Sequence, residues 1–336
     1  MDWFERLTGF REVSYADTRA KLEVEGRRLR SIVNGQSWEI GELEVVSLAA
    51  LRQRATASPS GRPKVRIVQG DVRKMHAAPE YAGALFQVAS QFNALEMTSP
   101  DVTPEDGVTR YQYDRTQGPA CAIAAGAATL YRNFFAPVGG GIGQTADRQI
   151  DGLAAVGEAL SRLTSRPVAE LWRMRNGYAL CGPEGLEAIS AALGKLGQAE
   201  TDALRENLAI TVHSGVEVTD PQAPPRSIVS QAFGSALPVA YTNVPARHWR
   251  AFATLVLEAV YEATLWAGIE NARLAGSKIV ALTMLGGGVF GNDEAWIFAA
   301  IRRALQVVAA RDLDVRVVSY GAPSSDLVAF VESLNG

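Results

Sequence analysis

Residues 278–285, Lys-Ile-Val-Ala-Leu-Thr-Met-Leu, run into Gly286-Gly287-Gly288-Val289-Phe290-Gly291-Asn292-Asp293, and then into Glu-Ala-Trp-Ile-Phe-Ala-Ala at 294–300. The first block is short and apolar throughout, which suits a strand covered on both faces. The last block starts a helical pattern that continues to residue 310. Between them lies a loop of glycines. Residues without Cβ let backbone N–H groups approach anionic oxygens, and the helix that follows offers the positive end of its dipole. A strand, a glycine loop and a helix in that order imply an α/β fold with a site at the loop, although a tight turn alone would also use glycine.

Outward from this unit the same alternation recurs. Strand-like runs occupy 65–70, 84–90, 208–218, 227–233 and 314–320, and helical patterns are expected over 144–163 and 251–275. Several strands are apolar nearly throughout, so the sheet is expected to be mixed and flanked by helices in three layers. Near the start, 29–46 holds two β-leaning runs around Asn34-Gly35, a pair that favours hairpin turns. The small, proline-broken stretch 55–63 marks a loop, which places a boundary near residue 60. The expected division is a 1–60 extension containing a β-hairpin and a 61–336 α/β domain with insertions. Polar stretches at 101–114 and 219–226 read as surface loops, and 181–204 as an additional helical segment.

The chain of 336 residues carries 33 Lys and Arg against 36 Asp and Glu, a formal charge of −3. That balance argues against a broad nucleic-acid surface. Two cysteines, Cys121 and Cys181, and three histidines, His76, His213 and His248, are too few for a disulfide framework or an all-cysteine zinc site, and a cytoplasmic setting is expected. The apolar run 251–267 is interrupted by Glu258, Tyr261 and Glu262 and reads as a buried helix, so no membrane association is expected. The motif Gly286 to Gly291 spells G-x-G-x-x-G, but the next strand ends in Tyr320-Gly321 where a dinucleotide-binding unit needs an acidic residue. A nicotinamide dehydrogenase is therefore disfavoured.

A second glycine cluster, Gly139-Gly140-Gly141-Ile142-Gly143, leads into Gln144, Asp147 and Asp151. On a helix these three share a face, where a carboxylate can act as acid, base or ribose ligand. Helix capping by Thr145 or Asp147 is the plainer alternative. Asp71 follows a strand and can accept from an exocyclic amine or cap a helix, and Gln91 and Asn93, past the next strand, can grip a sugar or satisfy a loop. His213, Trp172, Trp266, Trp296 and Cys121 are read as core residues, and His248 as lying at a helix start.

Taken in order, these pieces resemble the macrodomain family, whose members bind ADP-ribose and in many cases hydrolyse it from proteins or polymers. Gly70-Asp71-Val72 matches the family's Gly-Asp-Ile/Val, which implies Asp71 and Val72 at the adenine. Residues 88–93, VASQFN, resemble its Asn-rich strand end with a slip of one, implying Asn93, with Gln91 in reserve. GGGVFG matches its second phosphate loop, which implies Gly286, Gly287, Gly288, Val289, Gly291 and Asn292 around the diphosphate and Phe290 beside the distal ribose. The poly(ADP-ribose) glycohydrolase branch has Gly-Gly-Gly, a short spacer and Gln-Glu-Glu. Here Gly139, Gly140 and Gly141 are followed by Gln149-Ile150-Asp151, so Gln149 is identical, Asp151 replaces the catalytic glutamate and Ile150 the other.

The resemblance implies an ADP-ribose glycohydrolase acting on a modified protein, without a cofactor, with Asp151, Asp147 and Gln144 as candidate catalytic residues. A non-catalytic reader of ADP-ribose or a related nucleotide is the alternative. A metal-dependent nucleotide hydrolase is weaker, because the sequence shows no dense run of Asp, Glu and His.

Overall fold

The computed structural model describes the chain except for residues 55–59, 221–222, 224–226, 275 and 336. Seven strands form the central sheet: β1 (Glu42–Ser47), β2 (Lys64–Gln69), β3 (Leu85–Ala89), β4 (Ala209–Glu217), β5 (Ile228–Gly234), β6 (Ile279–Leu282) and β7 (Asp314–Ser319). Their order is β1-β4-β5-β3-β6-β7-β2. The five from β5 to β2 are parallel, while β4 runs antiparallel to both β5 and β1. The strand runs expected at 65–70, 84–90, 208–218, 227–233, 278–285 and 314–320 all lie in this sheet. β1 comes from the first sixty residues, so the sheet crosses the boundary expected near residue 60. Of the proline-broken stretch 55–63, residues 55–59 lie outside the described residues, as does most of the second half of the loop expected at 219–226.

Alternation along the strands sorts side chains into two cores. Leu85, Val280, Leu282, Val315 and Val317 face one cluster with the helices α5 (Ala246–Arg273), α6 (Glu294–Val307) and α7 (Ser325–Asn335). Phe86, Val88, Ile279 and Ala281 face the other, shared with α1 (Val72–Ala77) and α2 (Gln117–Ala124), which continues after a break into α3 (Gly126–Phe134). This is the three-layer arrangement expected. A small antiparallel sheet, Leu22–Glu25, Arg28–Ser31 and Ser37–Glu39, includes the hairpin around Asn34-Gly35, and its Leu22, Leu29 and Trp38 pack with Trp3 and Phe4 against α2 and α3. The helix expected over 251–275 is α5. It is long and apolar enough to cross a membrane by composition, yet 89% of its apolar window is buried inside the molecule.

One polar centre fastens the α5 layer. The Glu262 carboxylate, fully buried on α5, accepts from Arg52 Nε at 2.6 Å and Nη2 at 2.9 Å, from Arg303 Nη1 at 2.5 Å and from Trp266 Nε1 at 3.1 Å. The two arginines also reach Asp202 on the helix Gln198–Glu206. Glu262→Ala leaves Arg52 and Arg303 with Asp202 but removes their buried acceptor and that of Trp266. It is expected to lower stability in urea unfolding by about 1–3 kcal/mol, the cost of leaving buried donors without their acceptor; an unchanged midpoint would show the network to be solvated.

His76 gives an acid-side counterpart. Its ring is buried, stacked on Phe86 with centroids 3.8 Å apart, with Nδ1 against Val72 O at 2.8 Å and Nε2 against Gln231 Nε2 at 3.1 Å. Burial pushes its pKa down to about 4. The unfolded histidine titrates near 6.5, so the unfolded chain binds the extra proton between these values and stability falls as the pH drops from about 6.5 to 4. Urea midpoints of the parent are expected to decline over that window more steeply than those of His76→Leu.

Candidate functional site

The cavity follows from a split in the sheet. β3 pairs with β6 only at Leu85 and Phe86, opposite Val280 and Ala281, after which β6 leaves toward the glycine loop. The backbone groups exposed by that divergence are taken by glutamine side chains. Gln117 Oε1 accepts from Ala89 N at 2.8 Å and its Nε2 donates to Gln87 O at 2.8 Å, so one amide stands in for the missing strand. Gln87 Oε1 accepts from Thr283 N on the departing side. Between the diverging chains opens a cavity of about 290 Å³, at the carboxyl ends of the parallel strands, where open α/β sheets hold their ligands.

Four residues of the glycine loop line this cavity, Gly286, Gly288, Val289 and Phe290. The loop is closed on itself by Gly287 N to Met284 O, Gly291 N to Gly288 O and Asn292 N to Gly286 O, and Asn292 Nδ2 ties it to Leu237 O. The N–H groups of Gly286, Gly288, Val289 and Phe290 donate to no described residue. The cavity is thus lined by the loop residues whose donors are unspent. Gly286 needs its glycine, with φ at +77° and a Cβ position 2.4 Å from Ala236 Cβ, whereas a Cβ on Gly288 meets nothing within 4 Å. The lining also includes Thr116, Gln117 and Pro119 at the start of α2, where Thr116 makes no side-chain cap.

An aromatic trio forms another wall. Tyr178, Tyr241 and Phe290 lie with ring centroids 5.2–5.5 Å apart. Tyr178 is carried by the hairpin Arg173–Arg175/Tyr178–Leu180, and its hydroxyl donates to Met97 O at 2.6 Å. Two carboxylates complete the lining. Asp114 Oδ1 accepts from Thr116 N and Oγ1 ahead of α2. Glu96 is 2% exposed and faces Arg132 Nη2 at 3.3 and 3.4 Å, and burial pushes its carboxyl up to about 7 against the pull of that guanidinium.

Of the residues singled out in the sequence, Gly286, Gly288, Val289, Phe290 and Gln91 line the cavity. Gly287, Gly291 and Asn292 hold the loop's shape instead. Gln91 is already committed, accepting from Met97 N and donating to Tyr178 Oη. Asn93 is buried and bonded to Leu95 N and Gln149, and Gln149 in turn donates to Asn176, so these amides pin the Tyr178 hairpin to the end of β3. Asp71 caps α1 through Arg73 N at the far end of the same crest, and Val72 beside it packs in the core.

The stretch after the second glycine cluster departs from the helix expected there. Gly139 and Gly140, with φ of +55° and +75°, turn the short hairpin Pro137–Val138/Gly141–Ile142. The Arg148 side chain lies over Gly139 and Gly141. The helix expected over 144–163 begins only at α4 (Ala154–Thr164), and residues 145–148 form a turn closed by Thr145 and Arg148. Asp147 and Asp151 therefore share no helix face. Asp147 is exposed, Asp151 accepts from Leu153 N and has its pKa raised by burial, and Gln144 is buried with its amide spent on Asn93 O, Arg132 O and Ile150 N. None of the three lines the cavity.

Sequence reasoning missed Glu96, Asp114, Gln117, Tyr178 and Tyr241. Glu96 alone left a trace, as a single charge between Leu95 and Met97. Among the described residues, no three of His, Cys, Asp and Glu gather as a metal would require.

No family model and no curated protein matches the chain. Among solved structures it is similar to poly(ADP-ribose) glycohydrolase from Thermomonospora curvata, at 14% identity over 95% of this chain and 97% of that one, with a TM-score of 0.44. It is likewise similar to the Deinococcus radiodurans poly(ADP-ribose) glycohydrolase in complex with ADP-ribose, at 13% identity over 87% and 94%, also with a TM-score of 0.44.

The junction of α2 with β3 is sterically exact enough to test. A Cβ on Gly118 sits 2.0 Å from Ala89 O and 3.0 Å from Glu96 Cγ. Gly118→Ala is expected to cost about 1–3 kcal/mol of stability by overpacking, read as a lowered urea midpoint, while Gly288→Ala leaves the midpoint unchanged.

Proposed function

We propose that the cavity binds ADP-ribose and that the protein removes ADP-ribose from a modified target. The observation that carries this reading is the set of four unspent N–H groups at Gly286, Gly288, Val289 and Phe290, residues that line a cavity also lined by the protonatable Glu96 carboxyl. No lysine or arginine lines the cavity among the described residues, so an anionic ligand is received by backbone dipoles, as glycine loops receive phosphates. The aromatic trio offers apolar faces to a sugar or base. GGGVFG and Gly70-Asp71-Val72 carry the likeness to macrodomains that gives the ligand its identity, and Asp71 retains one carboxylate oxygen free of its cap bond for an adenine amine.

Hydrolysis, beyond binding, is supported by the carboxyl groups. Cleavage at an anomeric carbon passes through an oxocarbenium-like state and needs a positioned acid or base and a water. Glu96 and Asp114 line the cavity, where Asp147 and Asp151 do not. A reader without catalysis would bind through the same loop, and turnover separates the two.

Calorimetric titration with ADP-ribose, against AMP and NAD, is expected to show micromolar binding to the parent. Gly288→Glu adds a carboxylate at a residue that lines the cavity, and its Cβ meets nothing within 4 Å among the described residues. It is expected to abolish that binding with the urea midpoint preserved; unaltered affinity would remove the glycine loop from the site.

A further inference from the structure

Glu96 and Arg132 form a buried ion pair with features that stability alone does not explain. The Glu96 side chain is 1% exposed and that of Arg132 is fully buried. Their contacts, 3.3 and 3.4 Å from Nη2 to the two oxygens, are longer than the ~2.8 Å usual for charge-assisted bonds. Arg132 cannot close the gap. Its Nε donates to Ala94 O at 3.1 Å, its Nη2 also contacts Thr129 Oγ1 at 3.2 Å, and its guanidinium lies 3.9 Å over the Phe233 ring. Its Nη1 is buried without a partner among the described residues. Well-packed apolar residues would be equally or more stable than a pair so incompletely satisfied.

The pair also sits where chemistry would use it. Glu96 lines the cavity, and Arg132 lies behind it on α3. Arg132 holds the carbonyl of Ala94, a residue with φ at +57°, and so fixes the turn that aims Glu96. Asp114, the other lining carboxylate, is occupied by Thr116.

Resting on the reading of the cavity as an ADP-ribosyl hydrolase site, we propose that Glu96 is its proton donor and that Arg132 is the positioning residue that aims Glu96. The bond from C1″ of the ribose to the leaving oxygen breaks with its electron pair going to that oxygen, which takes the Glu96 proton. Water adds to C1″ and its released proton passes to the Glu96 carboxylate. ADP-ribose and the free hydroxyl of the target leave, and the acid is regenerated. This puts the acid on the turn after β3, away from Gln149-Ile150-Asp151. The groups facing Glu96 are Arg132 from α3, Tyr111 from the turn Thr109–Tyr113 and Cys121 from α2, with Asp114 on the same cavity. Burial holds Tyr111 and Cys121 neutral, so Arg132 is the cation that acts on the Glu96 proton.

The test measures hydrolysis of ADP-ribosylated protein and calorimetric binding of ADP-ribose on the full chain. Glu96→Gln is expected to lose about 100-fold or more in kcat with little change in affinity. In Arg132→Met, loss of the cation that favours the carboxylate moves the alkaline limb of kcat/KM to higher pH, a shift that a merely structural arginine would not produce. Glu96→Gln/Arg132→Met removes both charges together and is inactive; Glu96→Gln, which is isosteric and keeps the Arg132 bond to Ala94 O, retains the parent's urea midpoint and covers the case of an arginine variant failing to fold. Asp151→Asn keeps the parental rate. Parental turnover by Glu96→Gln or by the double variant, or loss of turnover in Asp151→Asn, overturns the assignment while leaving the hydrolase reading intact. A parent that binds ADP-ribose without releasing it from protein overturns the assignment and hydrolysis but not binding; absence of binding overturns all three.

Discussion

A glutamine amide that replaces a strand makes the rest of the site possible. β3 and β6 must part for a ligand to enter at the crest of the sheet, yet parting exposes the N–H of Ala89 and the carbonyl of Gln87, which cannot be left unpaired in the interior without a penalty of about 1–3 kcal/mol each. Gln117 satisfies both, and Gln87 returns the favour to Thr283. Because Gln117 is the first residue of α2, the same bonds fix that helix with its N-terminus at the opening, and Gly118 allows the backbone to close on Ala89 O. The glycine loop and the start of α2 thereby border the same gap.

The polar residues around this gap divide into those that build it and those that face it. Gln144, Asn93, Gln149 and Asn176 form a linked set of amides beneath the Tyr178 hairpin. Each spends its donors and acceptors inside the protein, and the cavity is lined instead by the glycine loop, aromatic faces and two carboxylates. A carboxyl kept near pKa 7 by burial among such neighbours is a fitting acid at neutral pH.

The sheet was legible because its strands are apolar, β-branched and bounded by turn residues, and the strand–glycine–helix unit at 278–310 set its class. The hairpin at Asn34-Gly35 was legible from turn chemistry alone. The glycine loop was legible as a loop, but which of its glycines face a ligand depends on Asn292, Leu237 and Ala236, brought in from elsewhere in the chain. The misreading at 144–163 has a specific cause. Gln144, Asp147 and Asp151 repeat at helical spacing, but Gly143 at φ +82° and the Thr145–Arg148 turn take the chain off the helical path, and spacing of polar residues cannot tell a solvated helix face from a tight turn. Glu96 and Arg132 meet across 36 positions, and their pairing exists only once α3 has packed behind β3.

The most direct measurement is a crystal structure of the protein with ADP-ribose. Diphosphate oxygens within about 2.7–3.2 Å of the N–H groups of Gly288, Val289 and Phe290, with C1″ of the distal ribose beside Glu96, is the expected result. A diphosphate held instead at the Gly139–Gly141 hairpin, with the ribose beside Asp147 or Asp151, would contradict it.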